Sequence, residues 1–154
     1  MPNTFTQLHI HCVFAVKYRA ATIQPHFQEP LHQYITGIVQ HNGHKLLAVN
    51  SMPDHLHLFF GLHPGQSISE LMRQVKGDSS EFINKERFTG RKFHWQEGYG
   101  AFSNSHSHVH AVAEYIQNQA EHHRKKTFRE EYLKMLKDYE VEYDARYLFH
   151  DLLE

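Results

Sequence analysis

The chain has 154 residues, a formal net charge of −1 and a hydrophobic content of 40%. That is enough for one domain, 1–154, with a real core, and no apolar run reaches membrane-spanning length. A near-neutral balance excludes the sequence-blind DNA binders that carry a basic surplus, so any nucleic-acid site must be a local patch. The lone Cys12 rules out an internal disulfide and suits a reducing compartment. The start "MPNTFTQLHIH" lacks the basic and apolar stretches of a signal peptide, so a cytoplasmic protein is expected.

In chain order, residues 5–17 alternate. Leu8, Ile10, Cys12, Phe14 and Val16 take one face, His9 and His11 the other, as in a half-buried strand. A connector with two prolines follows. From Leu31, Tyr34, Ile35, Ile38 and Val39 recur at helical spacing until Asn42-Gly43 ends them. Residues 44–51 and 54–62 read as strands joined into a hairpin by "SMPD". Ser67 and Glu70 stand in capping-box spacing before a helix with the stripe Ile68, Leu71, Met72 and Val75. Residues 93–103, "FHWQEGYGAFS", predict a strand or ordered loop. A third helix is expected over 106–123, with Val109, Val112, Ala113, Ile116 and Ala120 on one side. Thr127 and Glu130 cap a fourth, and the tail from 140 carries aromatics expected to dock back. The order β-α-β-β-α-β with further helices predicts an α+β fold, a ferredoxin-like (split βαβ) antiparallel sheet with helices on one face. The opposite face is then free for a site.

Sixteen histidines are present, clustered at 9–11, 55–57, 106–110 and 121–123. In the strand "DHLHLFF", His55 and His57 share a face, roughly 6.5–7 Å apart, while Leu56, Leu58 and Phe60 point to a core. Two imidazoles need a third ligand to hold a catalytic metal with an open position. His9 and His11 also alternate off a strand and either support that pair or lie on the surface. His106, His108 and His110 diverge at a helix start and make a poor chelate. Asp54 points away from the pair, which makes it a turn residue or a hydrogen-bond partner of a histidine. Tyr115 and Gln119, four apart, are neighbours on a helix surface. Spacing alone leaves them a boundary tyrosine and a solvated amide.

Taken together, "PDHLHLF" with His55-Leu56-His57, and Tyr115-Ile116-Gln117-Asn118-Gln119 as "YIxxQ", resemble the single-tyrosine HUH transposases of small bacterial insertion sequences, the IS200-like TnpA type. "VFAVKYR", "SISELMRQVKGDSS", "FHWQEGYGAFS" and "QNQAEHH" resemble further blocks of that family, in the same order, over about residues 8–137.

The resemblance implies a DNA transposase that cuts and rejoins single-stranded DNA through a 5′-phosphotyrosine intermediate. Tyr115 would be the nucleophile, and His55, His57 and Gln119 the ligands of Mg²⁺ or Mn²⁺. It implies a substrate with subterminal hairpins and a homodimer whose active sites are shared between subunits, in the cytoplasm of a bacterium. Candidate DNA contacts are Lys17, Arg19, Arg73, Lys76, Arg91, Lys92, Arg124 and Lys125. Phe93, Trp95 and Tyr99 could stack on bases, with core packing the safer assignment for Trp95. Two other readings remain: a metal-dependent phosphodiesterase using "HIH" and "HLH" together to activate water, and a non-catalytic nucleic-acid-binding relative.

Overall fold

The computed structural model describes residues 3–148. Four strands, β1 (His9–Ala15), β2 (Lys45–Met52), β3 (His55–Gly61) and β4 (Gly100–Asn104), form one antiparallel sheet in the order β2-β3-β1-β4. Helix α1 (Pro25–His41) joins β1 to β2, and α2 (Ile68–Lys85) joins β3 to β4. This is the expected α+β, ferredoxin-like arrangement.

Alternation along the strands sorts the residues as the sequence pattern requires. Ile10, Cys12, Phe14, Leu56, Leu58 and Phe60 enter one core with the apolar stripes of α1 and α2. Antiparallel register sets His57 opposite both Val13 and Asn50, and His11 opposite Phe59, all on the other face.

That other face is not free. It is covered by α3 (Val109–Gln117), α4 (Gln119–His122) and α5 (Phe128–Asp138), with a last turn α6 (Ala145–Leu148). Ala48, Phe59 and Ile116 form a small apolar cluster under α3, and Val13, Phe102 and Leu136 another under α5. Between the two clusters lie buried His11, His55 and His57. Close approach of α5 depends on Gly100, where a Cβ would stand 2.6 Å from the Tyr132 hydroxyl.

Several boundaries differ from the sequence expectation. Helix α1 starts at Pro25, not Leu31, because a proline in the first turn forfeits no hydrogen bond and Phe27 already belongs to the buried stripe. The strand within 93–103 is confined to β4. Phe93 and Trp95 are core residues, and the indole donates to Ser79 Oγ at 2.9 Å. The third helix is interrupted at Asn118 (φ −96°, ψ 24°). Among the described tail residues Tyr143 and Tyr147 are 50% and 71% exposed and so do not dock, while Leu148 packs beside Leu136. The rest of the tail lies outside the described residues.

Candidate active site

The pair on β3 is fully buried, and both rings turn Nε2 toward α4 and α5. The outer nitrogens are held from behind. His55 Nδ1 donates to Asp54 Oδ1 at 2.7 Å, and His57 Nδ1 lies 2.8 Å from His11 Nε2. Such partners fix ring orientation at metal sites. Asp54 is therefore a partner of His55, as one of its two expected roles had it. His11 supports His57 and does not turn into the site, while His9 lies beside His106. The geometry does not form a joint "HIH"–"HLH" centre.

Opposite the pair, the break at Asn118 sets the tyrosine and the amide at the junction of two helices. Asn50 of β2 pins that junction, its amide donating to the carbonyls of Ile116 (2.9 Å) and Gln117 (3.2 Å). Gln119, wholly buried, directs Oε1 to within 3.3 Å of His55 Nε2. Its Nε2 faces only acceptors, Tyr115 O at 3.4 Å and Glu131 Oε2 at 3.2 Å, which fixes the amide orientation.

Glu131 on α5, one residue past the capping glutamate, is 5% exposed. Its Oε1 lies 3.2 Å from His57 Nε2, 3.4 Å from His55 Nε2 and 3.1 Å from His123 Nε2. Its Oε2 accepts a hydrogen bond from the Tyr115 hydroxyl. Phe128, a turn earlier on α5, stacks on the His55 ring with centroids 4.2 Å apart. Glu131 was not among the sequence candidates. The signal was present: in α5, Phe128, Glu131, Tyr132, Met135 and Leu136 fall at helical spacing, so an acid occupies the apolar stripe.

The charges follow from these contacts. Burial would raise the Glu131 carboxyl, but hydrogen bonds from His123, His55 and His57 outweigh it and hold the group well below the carboxylate range. Burial lowers His55, yet its bonds to Asp54 and Glu131 prevail and raise it. Burial lowers His57. Burial and the neighbouring carboxylate push the Tyr115 hydroxyl above its ordinary value.

The donor set fits a divalent metal. His55, His57 and Glu131 each offer a ligand atom, all within 4.8 Å of one another. Imidazole nitrogens, an amide oxygen and a carboxylate oxygen are ordinary ligands of such ions.

The candidate DNA contacts stand in several settings. Arg19 lines a cavity with Asp54, Phe128 and Arg129. Lys125 lines another, of about 450 Å³, with Tyr115, His122, Lys126 and Lys134. Arg73 and Arg124 form ion pairs with Glu70 and Glu121. Lys17 sits over the Tyr18 ring, Arg91 and Lys92 are exposed, and Lys17 and Lys92 both stand close enough to His94 to disfavour its charge. Lys76 donates to the carbonyls of Gln96 (2.8 Å) and Gly98 (2.6 Å), a tether of the segment before β4.

The split-βαβ sheet, with a tyrosine set against its buried histidine pair, is the fold that solved transposase structures share. The solved structure of a REP-associated tyrosine transposase bound to a REP hairpin superposes with a TM-score of 0.60 at 13% identity, covering 99% of this chain and 94% of that one. A transposase structure from Deinococcus radiodurans R1 matches with a TM-score of 0.59 at 25% identity, covering 76% and 94%. The ISDra2 transposase TnpA of Deinococcus radiodurans is 28% identical over 119 residues, 73% of this chain and 84% of that protein. The family description "Transposase IS200 like" matches residues 4–119. The chain belongs to the IS200-like transposase family, whose members cut DNA. The match ends at Gln119, before His123 and Glu131.

Proposed function

We propose that this transposase cuts and rejoins single-stranded DNA with Tyr115 as nucleophile, assisted by a divalent metal held by His55, His57, Gln119 and Glu131. The observation that carries the reading is the position of the Glu131 carboxylate. One oxygen faces the histidine nitrogens and the other holds the Tyr115 hydroxyl. Nucleophile and metal donors thus meet across a single group.

In the proposed reaction the Tyr115 oxygen attacks phosphorus and the bond to the 3′ oxygen breaks. The 3′ oxygen leaves as a hydroxyl, gaining the one proton that the phenol gives up, and the 5′ phosphate stays on the tyrosine. Glu131 orients the Tyr115 oxygen through the hydrogen bond it accepts. Because a phenol leaves about as readily as it attacks once activated, a second 3′-hydroxyl can reverse the link without added energy. A bound Mg²⁺ or Mn²⁺ would supply positive charge where negative charge builds on the phosphate oxygens.

Access for the strand is supported by the cavity beside Tyr115, lined by Lys125 and Lys126 together with Glu121, Glu131 and a Lys134–Asp138 ion pair. A hairpin-bearing substrate is in keeping with the REP hairpin bound by the solved relative. The histidines and the tyrosine come together within one chain. A homodimer is proposed as the assembly, and the tyrosine's place against its own chain's histidines supports a site filled in cis. No helix among the described residues is long and apolar enough to cross a membrane.

The deciding experiment is covalent capture. Wild type and Tyr115→Phe are incubated with labelled single-stranded DNA from the flanks of the gene, with Mn²⁺ or with chelator, and resolved on a denaturing gel. Metal-dependent label on the wild type alone is expected. Cleavage without any adduct would replace this reading by a water-using phosphodiesterase.

A further inference from the structure

His123 begins the turn that ends α4, one helical turn beyond Gln119 and outside the segment matched to the family. Its side chain is 8% exposed. Nδ1 lies 2.8 Å from the carbonyl of Lys126, an oxygen that only accepts, so Nδ1 carries the hydrogen. Nε2 then points at two further oxygens, Gln119 Oε1 at 3.0 Å and Glu131 Oε1 at 3.1 Å. The amide orientation of Gln119 is fixed by its other contacts, so Oε1 is an acceptor there. His55 is in the same position: Nδ1 donates to Asp54, and Nε2 faces Gln119 Oε1 and Glu131 Oε1.

Both rings therefore turn their inner nitrogens to the same two oxygens, Gln119 Oε1 and Glu131 Oε1, in a buried pocket. Imidazole nitrogen, amide oxygen and carboxylate oxygen are all ordinary metal ligands, so a cation drawn into the pocket has His123 as a further donor beside His55.

We propose that His123 is a further metal ligand of this chain, and that the resulting set of three imidazoles, one amide and one carboxylate favours Co²⁺, Zn²⁺ or Mn²⁺ over Mg²⁺. The proposal rests on the metal-site reading above and extends it to a residue of the C-terminal segment. Its Nε2 faces the same two oxygens as that of His55, and its Nδ1 is held by a backbone carbonyl as ligating histidines commonly are. The consequence for selectivity follows from ligand type. Mg²⁺ prefers oxygen and keeps its waters, while each added imidazole shifts preference toward later divalent ions.

The test is metal binding by the DNA-free, full-length protein. Calorimetric titration with Mn²⁺, Mg²⁺ and Co²⁺ is paired with the visible absorption of bound Co²⁺. Wild type is expected to bind Co²⁺ and Mn²⁺ more tightly than Mg²⁺. His123→Ala is expected to weaken Co²⁺ by about 10–100-fold and to alter its absorption, with a much smaller effect on Mg²⁺. His123→Gln, which restores an oxygen donor and a donor for the Lys126 carbonyl, keeps Mg²⁺ affinity but loses the Co²⁺ preference. It thereby separates loss of a ligand from loss of folding. His110→Ala, which removes a 90% exposed histidine, controls for adventitious binding and leaves the main site unchanged. If both His123 variants keep the wild-type ratio of Co²⁺ to Mg²⁺ affinity, His123 is structural and the inference falls while the metal site stands. If wild type binds Co²⁺ no better than a His55→Ala/His57→Ala protein, the metal site itself falls, and the inference with it.

Discussion

The two faces of the sheet are made by the same strands and do different work. Toward α1 and α2, β1 and β3 contribute only apolar side chains to a single large core. Toward α3, α4 and α5 they contribute His11, His55 and His57 between two small apolar clusters. The first face stabilises the fold through apolar burial. The second buries five polar side chains of the site, His55, His57, Gln119, Glu131 and His11, and each is retained only because others satisfy it. Function has been placed where the fold can spare apolar area, and one residue's step along β3 moves from one regime to the other.

Neighbouring residues on β3 break this comparison most directly. His57→Ala is expected to lower adduct formation by about 1,000-fold, from the loss of several kcal/mol of charge stabilisation at the phosphate. Its melting midpoint should fall less than that of the core variant beside it. Leu58→Ala, wholly buried toward α1 and α2, is expected to cost about 2–5 kcal/mol of stability. Whatever fraction stays folded should cut at the wild-type rate. Chemical denaturation and the capture assay, run on both variants, measure the two losses. Equal rate losses, after correction for folded fraction, would mean that the faces are not separable.

A smaller effect sharpens the same contrast on the site face. Asp54 is not a proposed metal ligand, yet it orients His55 through Nδ1. Asp54→Asn retains shape and lets the ring turn or change tautomer, so metal affinity should fall about 10–100-fold with little change in the melting midpoint of the metal-free protein. Calorimetry reads the first and thermal denaturation the second. Unchanged affinity would reduce Asp54 to a turn residue.

The sheet and the histidine pair were legible because period-two alternation is a local property: Leu56, Leu58 and Phe60 against His55 and His57 can be read without knowing their partners. The order of elements then limited the topology to one arrangement. The covered second face was not legible, because the apolar residues of α3 and α5 do not announce which surface they bury. The break at Asn118 was hidden inside a continuous apolar stripe, and what sustains it is the Asn50 amide, contributed from a strand 66 residues away in sequence. Glu131 and His123 were missed for a related reason. Each becomes a site residue only when α5 folds back over β3, and "FREEYL" reads first as a capped surface helix. An acid on the apolar stripe was the available clue.

The smallest effect concerns a histidine on the side built for stability. His32 of α1 is partly buried with Nε2 2.8 Å from Ser51 Oγ, and burial lowers its pKa from 6.5 to about 4. Above pH 6.5 the ring is neutral in both folded and unfolded chains, and the folded state carries no penalty. Between pH 6.5 and 4 the unfolded chain takes up a proton that the folded chain refuses, so stability falls as pH falls; below 4 both are protonated and the loss is complete. His32→Gln retains a donor for Ser51 and removes this titration. The denaturation midpoint of the variant should therefore drop less between pH 7 and pH 4.5 than that of wild type. Equal drops would place the acid sensitivity elsewhere. The contrast with His55 is one of partners: a histidine beside a hydroxyl gives up its proton on burial, whereas burial beside Asp54 and Glu131 leaves His55 raised.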